Sequence, residues 1–221
     1  ALMDLANILV GHTKGGLAQV NVLLSALMGG ISGSANADAA MQSKMLVPEM
    51  TKKGFTLEFS GAVTAASSAV SPVIPPGTNL ILFSIIAGVP VGSMFLAAYG
   101  PGILMTVALM ITVQIIAVKR KFAPNLDKRA TVIEVLKQIL KSSWALVIPF
   151  GIIMGMRRGA FTPTEAGAIA VVFSLFVGFL IYKKLKPAHL GIVLMDTVKS
   201  TGSVLLIIAS AKVFGYYLTL E

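Results

Sequence analysis

Apolar residues run along this 221-residue chain in blocks too long and too unbroken for a surface that faces water. Residues 91–118 carry no charge, residues 164–182 carry one at their start, and residues 202–220 carry one inside. A helix needs about 20 mostly apolar residues to cross the hydrocarbon core of a bilayer. Each block approaches or exceeds that length, so the pattern predicts an all-α polytopic membrane protein.

Shorter elements lie between these spans. Residues 1–14 (ALMDLANILVGHTK) read as an amphipathic lead-in. Residues 15–30 are helical in pattern but contain Gln19 and Asn21, and they reach only about 24 Å at 1.5 Å per residue. They run into GGISGSANAD (29–38), after which a second short helix is expected over 39–50, closed by Lys52, Lys53 and Gly54. Two short helices around a Gly/Ser tip predict a re-entrant hairpin that enters and leaves on one side, making residues 1–54 the first unit.

Residues 55–90 form the second unit. Here SAVSPVIPPGTN (68–79) places Pro72, Pro75, Pro76 and Gly77 inside an apolar run. Proline lacks an amide donor and clashes with the preceding turn, so a discontinuous transmembrane helix is expected, with halves at 57–70 and 78–87. Residues 91–129 then supply a span and a basic loop.

In residues 130–160, Val132, Val135, Leu136, Ile139 and Leu140 fall on one side of a helix over 131–143, with Glu134, Lys137, Gln138 and Lys141 opposite. That is the pattern of an interfacial amphipathic helix, expected to run into a short span at 142–156. FTPTEAG (161–167) signals a helix start, with Thr162 as N-cap, Pro163 at the first helical position and Glu165 completing a capping box. Residues 161–221 are thus expected to hold two spans, one ending at 182 and one beginning near Gly202.

Composition sharpens this picture. The chain is 56% hydrophobic and 12% charged, against about 25% charged in an ordinary soluble domain. Its basic surplus, 18 Lys and Arg against 9 Asp and Glu, is placed against a nucleic-acid role. Lys119, Arg120, Lys121, Lys128 and Arg129 follow one span and Lys183, Lys184 and Lys186 follow another, which is the positive-inside distribution of cytoplasmic loops. Arg157 and Arg158 then fall outside, against that rule, with Glu165 as an expected ion-pair partner. The absence of cysteine excludes disulfides and thiol chemistry. Because no methionine begins the chain and no signal peptide is visible, it reads as a piece of a longer protein.

Irregular backbone at membrane depth is tolerated only where protein buries it or where it lines a watery cavity. Two such features, the tip and the proline break, lie close in the chain. A broken helix exposes a carbonyl end that attracts cations and an amide end that attracts anions, the device secondary transporters use near the bilayer midplane. Ser32, Ser34, Asn36, Ser67, Ser68, Ser71, Thr78 and Asn79 add the neutral oxygens that hard cations favour. The bland alternative is that Pro and Gly kink helices and that small residues form helix contacts.

Asp38 is an ion or proton site by default as an intramembrane carboxylate; against that, a carboxylate there also stabilises the amide end of the following helix. Lys44 and Lys212 sit among apolar residues, where long lysines reach to the interface. Gly30-Ile31-Ser32-Gly33 matches the GxSG segment of rhomboid-type intramembrane serine proteases, but such a serine needs a base in reach, and neither His12 nor His189 is placed mid-membrane.

Four motifs in order, GLAQVNVLLSALMGGISGSANADAA, LVPEMTKKGF, AVTAASSAVSPVIPPGTNLILFSIIAGVPVGSMFLA and RRGAFTPTEAGAIAVV, resemble the large membrane subunit of the tripartite ATP-independent periplasmic (TRAP) transporters, from about Gly15 onward. The resemblance implies a sodium-coupled secondary transporter of the bacterial inner membrane. A periplasmic binding protein would deliver a small organic acid such as a sialic acid or C4-dicarboxylate, and a small membrane subunit would accompany the large one. The coupling ion would be sodium, with no other cofactor, no catalysis and no nucleic acid.

The implied fold is two inverted repeats moving as an elevator, of which this chain shows one, with no second Gly-rich tip or proline pair before Glu221. By resemblance, sodium would be held by Ser32, Gly33, Ser34, Asn36, Ser71 and Pro72. The substrate region would draw on Ser34, Pro75, Pro76, Gly77, Thr78 and Asn79. Where the family often has serine after the proline pair, this chain has Gly77, so a hydroxyl contact there would fall to Thr78. A stand-alone sodium–carboxylate symporter, needing no binding protein, is the nearest rival.

Overall fold

The computed structural model describes residues 2–126, 128–183 and 185–220, without the side chains of Arg157 and residues 218–220. Lys184, one of the expected cytoplasmic cations, lies outside the described residues. The chain divides into two units, residues 1–170 and 171–221, and the described residues contain helices and turns.

In the first unit, α1 (Leu2–Val10) leads into α2 (Gly16–Ser32). Gly33 ends α2 in the left-handed conformation, φ 56°, with its N–H donating to the Gly29 carbonyl at 3.1 Å. Glycine reaches that region without the steric cost other residues meet. Ser34 then starts α3 (Ala35–Met45), its hydroxyl oxygen accepting the Ala37 N–H at 3.3 Å. Gln42 Nε2 donates to Ser25 Oγ at 2.7 Å across the tip, so α3 folds back along α2.

The irregular tip is therefore Gly33 and Ser34, shorter than GGISGSANAD, because serine capping lets the return helix start at Ala35. The return helix also does not run unbroken over 39–50. Pro48, in the first turn of α4 (Val47–Lys52), has no N–H for the preceding helix, and the chain restarts at Leu46.

Thr56 begins α5 (Leu57–Ser68) by accepting the Phe59 N–H at 3.3 Å. Residues 69–77 leave the helix, and α6 (Thr78–Ala87) resumes after Gly77. The expected broken helix is present; its second half matches 78–87, and its first ends at Ser68, two residues short of the expected 70. Next, α7 (Val91–Lys119) spans 29 residues, with Pro101 inside it.

Thr131 and Glu134 form a capping box at the start of α8 (Val132–Arg157). Here the structure departs from the expected division into an interfacial helix and a short span at 142–156. One continuous helix runs through, because residues 132–148 contain no Gly or Pro to turn it; Pro149 lies within the helix. A capping box also opens α9 (Pro163–Phe176), with Glu165 Oε2 accepting from the Thr162 N–H at 2.7 Å and hydroxyl at 2.9 Å. Glu165 is thus engaged by its own N-cap; of its two expected ion-pair partners, the Arg157 side chain lies outside the described residues, and among these no ion pair joins Arg158 to Glu165.

From α9 the helix passes into a π-helical turn, Val177–Ile181. In the second unit, α10 (Pro187–Leu220) begins well before Gly202. Asp196 and Lys199 interrupt its apolar pattern without interrupting its backbone bonds. Among the described residues, four helical stretches are long and apolar enough to cross a membrane: Val91–Lys119, Val132–Met156, Pro163–Ile181 and Pro187–Tyr217. Their outward residues are apolar (Leu104 is 69% exposed and Phe150 66%), as lipid-facing surfaces must be.

Helix α2 is the centre of the first unit. One side packs Leu17, Ala18 and Val22 against Phe59 and Val63 of α5 and Val113 of α7. The other packs Val20 and Leu24 against Ala6 of α1 and Leu46. A third cluster joins Leu80 of α6 to Phe95 and Ala98 of α7, with Ile153 and Met156 of α8 alongside.

Candidate site at the paired helix breaks

The two interruptions meet. A β-carbon built on Gly33 would lie 3.1 Å from Gly77 Cα, 3.4 Å from the Thr78 nitrogen and 3.5 Å from the Pro76 carbonyl oxygen. One built on Gly30 would lie 3.2 Å from the Pro75 carbonyl oxygen, and one on Gly29 would lie 2.9 Å from that of Ser71. Gly29, Gly30 and Gly33 thus let the end of α2 and the proline break approach to contact distance, where a β-carbon would push them apart.

Polar main-chain groups gather there for a reason built into the sequence. Pro72, Pro75 and Pro76 have no N–H, and the Pro75–Pro76 peptide is cis. Among the described residues no backbone donor reaches the carbonyls of Ser71, Pro72, Pro75 or Pro76. The carbonyl ends of α2 and α5 and the amide ends of α3 and α6 converge on the same place. Among the described residues, no side chain caps the amide end of α6. Carbonyl ends carry partial negative charge and amide ends partial positive charge, so one small region offers both a cation and an anion a partner.

One full charge stands beside these dipoles. Asp38, in the first turn of α3, is 1% exposed. Its Oδ2 accepts from Ser71 Oγ at 2.7 Å, and that hydroxyl also lies 3.1 Å from the Ser25 carbonyl oxygen. Among the described residues, none donates a hydrogen bond to Asp38 Oδ1, which is buried. A buried carboxylate without a counter-charge is costly, and an unpaired lone-pair site on it adds to that cost. A cation, or a donor on an incoming group, would relieve both.

The expected residues divide by burial. Ser71, Pro75, Gly33 and Gly77 are buried, Ser32, Pro72 and Pro76 partly so, while Ser34, Asn36, Thr78 and Asn79 are exposed. Ser32 Oγ accepts the Ser34 N–H at 3.4 Å. Ser67 points elsewhere, donating to Asn21 Oδ1 at 2.8 Å, and Ser68 Oγ donates to the Ala65 carbonyl at 2.9 Å. His12 precedes α2 and Ser32 closes it; 17 helical residues, about 25 Å at 1.5 Å per residue, separate the two.

A supporting layer escaped the reading of the sequence. Asn21 Nδ2 donates to Thr64 Oγ1 at 2.8 Å and its Oδ1 accepts from Ser67, all three residues fully or almost fully buried. Ser25 and Gln42 link α2 to α3, and among the described residues Gln42 Oε1 is buried without a partner. The signal was spacing. Asn21 and Ser25, Asp38 and Gln42, and Ser60 and Thr64 are each four apart, and therefore stacked on one helix face.

The whole chain, residues 1–221, matches the family model described as "Tripartite ATP-independent periplasmic transporter, DctM component". It is 37% identical over 219 residues to a 2,3-diketo-L-gulonate TRAP transporter large permease protein of Escherichia coli (99% of this chain, 51% of that protein). It is 34% identical over 222 residues to a sialic acid TRAP transporter large permease protein of Vibrio cholerae (100% and 51%). A C4-dicarboxylate TRAP transporter large permease protein of Pseudomonas aeruginosa is 33% identical over 220 residues (100% and 51%). The chain spans about half the length of these curated relatives.

Proposed function

We propose, from the premise that this chain belongs to the large membrane subunit family of the tripartite ATP-independent periplasmic transporters, that its paired helix breaks hold a coupling sodium ion and part of the site for an organic-acid anion. The observation that carries this reading is the junction of Gly33 with Gly77 and Thr78, backed by the buried Asp38–Ser71 pair.

The donor set suits sodium. It consists of hard oxygens from carbonyls at Ser71, Pro72, Pro75 and Pro76, hydroxyls of Ser32, Ser34 and Ser71, the Asn36 amide, and one carboxylate with a free oxygen. Sodium bound there would offset the Asp38 charge and tie the tip to the break. The exposed amide end of α6, with Ser34, Thr78 and Asn79 at its mouth, then presents donors to a carboxylate, and residues beyond this chain complete the substrate site.

In this reading α2 and α3 form a re-entrant hairpin, one of two inverted repeats, and hairpin and broken helix slide as one body against a scaffold. The clasp of Asn21 on Thr64 and Ser67 supports that by locking α2 to α5. The subunit works in the bacterial inner membrane with a small membrane subunit and a periplasmic binding protein. A sialic acid TRAP permease of Haemophilus influenzae, 35% identical over 214 residues, has only 34% of its length matched, which leaves room for a fused arrangement. Sialic acids, C4-dicarboxylates and sugar acids are the substrate classes to try first.

The test is uptake into proteoliposomes holding the full-length subunits, with the cognate binding protein outside and an imposed sodium gradient. Sodium-driven accumulation that requires the binding protein is expected. Uptake indifferent to sodium sinks the coupling, and uptake without the binding protein favours the stand-alone symporter. Replacing Pro75 and Pro76 with alanine is expected to weaken sodium activation; an unchanged response removes the break from the mechanism.

A further inference from the structure

At the far end of α2 from the tip, two segments remote in sequence converge on an aromatic cluster. Phe55 precedes α5, Phe59 lies in its first turn, and Phe122 follows α7. The Phe122 ring sits 4.3 Å from that of Phe55 and 5.3 Å from that of Phe59, between centroids. Arg120 lies over the Phe59 ring at 5.6 Å, within the range of a cation–π contact.

Basic residues flank this cluster on both sides: Lys52 and Lys53 at the end of α4, and Lys119, Arg120 and Lys121 at the end of α7. All are exposed. Glu49 engages Lys52 at 3.0 Å, but among the described residues no ion pair engages Lys53, Arg120 or Lys121. Glu58, exposed in the first turn of α5, is the nearest other carboxylate to Lys53 along the chain, and Asp127, outside the described residues, is the nearest to Lys121. The carbonyl ends of α4 and α7 also oppose an anion, yet as partial charges they are outweighed by the full ones.

We infer that Lys53, Arg120 and Lys121, held together by the Phe55–Phe59–Phe122 cluster, form a binding site for the phosphate of an anionic phospholipid headgroup. Position selects a lipid over a free anion. Arg120 and Lys121 sit at the end of a 29-residue span, about 43 Å long at 1.5 Å per residue, and the Phe55–Phe122 contact ties the segment carrying Lys53 to that end. That exceeds the ~30 Å hydrocarbon core and brings its end to headgroup depth. Leu57, 65% exposed beside the cluster, offers an apolar surface to an acyl chain. Clusters of Lys and Arg directly beyond a span attract anionic lipids, each cation strengthening binding about fivefold. Aromatic packing makes this cluster a fixed constellation where a loop charge would be diffuse. None of this depends on sodium coupling.

The test is native mass spectrometry of the purified full-length subunit titrated with phosphatidylglycerol or phosphatidylcholine. Wild type is expected to retain phosphatidylglycerol at least tenfold more tightly. The triple variant Lys53→Gln, Arg120→Gln, Lys121→Gln is expected to lose that preference, and the control Lys128→Gln, Arg129→Gln to keep it. Equal retention of both lipids, or equal loss in the control, overturns the site. Displacement by inorganic phosphate at matched concentration also overturns it, in favour of a soluble anion. Circular dichroism of the triple variant, expected to match wild type, separates lost binding from lost fold; if the helical signal falls, Arg120→Lys, which keeps the charge and loses the planar stack, must show reduced retention or the proposal fails.

Discussion

Ser71 Oγ donates a hydrogen bond to Asp38 Oδ2 at 2.7 Å, joining the break in one helix to the first turn of α3 through two residues 33 apart in the chain. The bond is buried on both sides, and it leaves the second carboxylate oxygen open. Hydrogen bonds to charged groups contribute about 1.5–3 kcal/mol, enough to set where α3 sits relative to the break.

If Asp38 neutralises the coupling ion, Asp38→Asn keeps shape and acceptor while deleting the charge. We expect the sodium concentration for half-maximal uptake to rise at least tenfold with protein levels unchanged. Ser71→Ala should raise it less, since the carboxylate remains. Sodium titrations of uptake that overlay wild type for both variants would remove the pair from the site.

Gly33 and Gly54 both adopt positive φ, 56° and 86°, but only Gly33 is crowded. A β-carbon on Gly54 would meet nothing within 4 Å. Alanine costs each position roughly 1–2 kcal/mol of left-handed backbone strain. Only Gly33→Ala also drives the tip away from Gly77. Uptake is expected to fall at least tenfold in Gly33→Ala and to stay within about twofold in Gly54→Ala; equal behaviour would mean the tip–break contact is unimportant.

Asn21 holds α2 to α5 through two buried hydrogen bonds. Asn21→Ala leaves Thr64 and Ser67 with only their local carbonyl partners, a loss of about 2 kcal/mol at the usual 0.5–1.5 per bond plus desolvation. Thermal unfolding in detergent reads it. With Thr64→Val in a double-mutant cycle the effects should be non-additive; strict additivity would show that the two side chains do not cooperate.

Phe122 closes the aromatic cluster that pins the end of α7 to α5. Phe122→Ala should destabilise by about 2–4 kcal/mol, near the range for buried aromatic truncation, and Phe122→Leu by less than half of that. Matching melting temperatures for the two variants would show that the ring's bulk does not hold this junction.

Much of the architecture was legible in the order of residue types. Twenty-residue apolar blocks, a proline triplet, a Gly/Ser tip and Thr162 with Glu165 each act within a few residues of chain. Spans, break and cap therefore follow from hydropathy, missing amide donors and local hydrogen bonds. The same locality explains the misses. Charge patterning suggested a division of α8, and hydropathy a late start for α10, but backbone bonding continues through polar residues when no proline or glycine stops it.

Partnership was decided elsewhere. That Asp38 meets Ser71, that Gln42 reaches Ser25, and that Asn21 clasps Thr64 and Ser67 depends on how α3 and α5 pack about α2. A side chain's spacing along its own helix names the face it occupies, yet says nothing of which face comes opposite. Composition put irregular backbone in two places; only the packing of one chain around a central helix brought those places into contact.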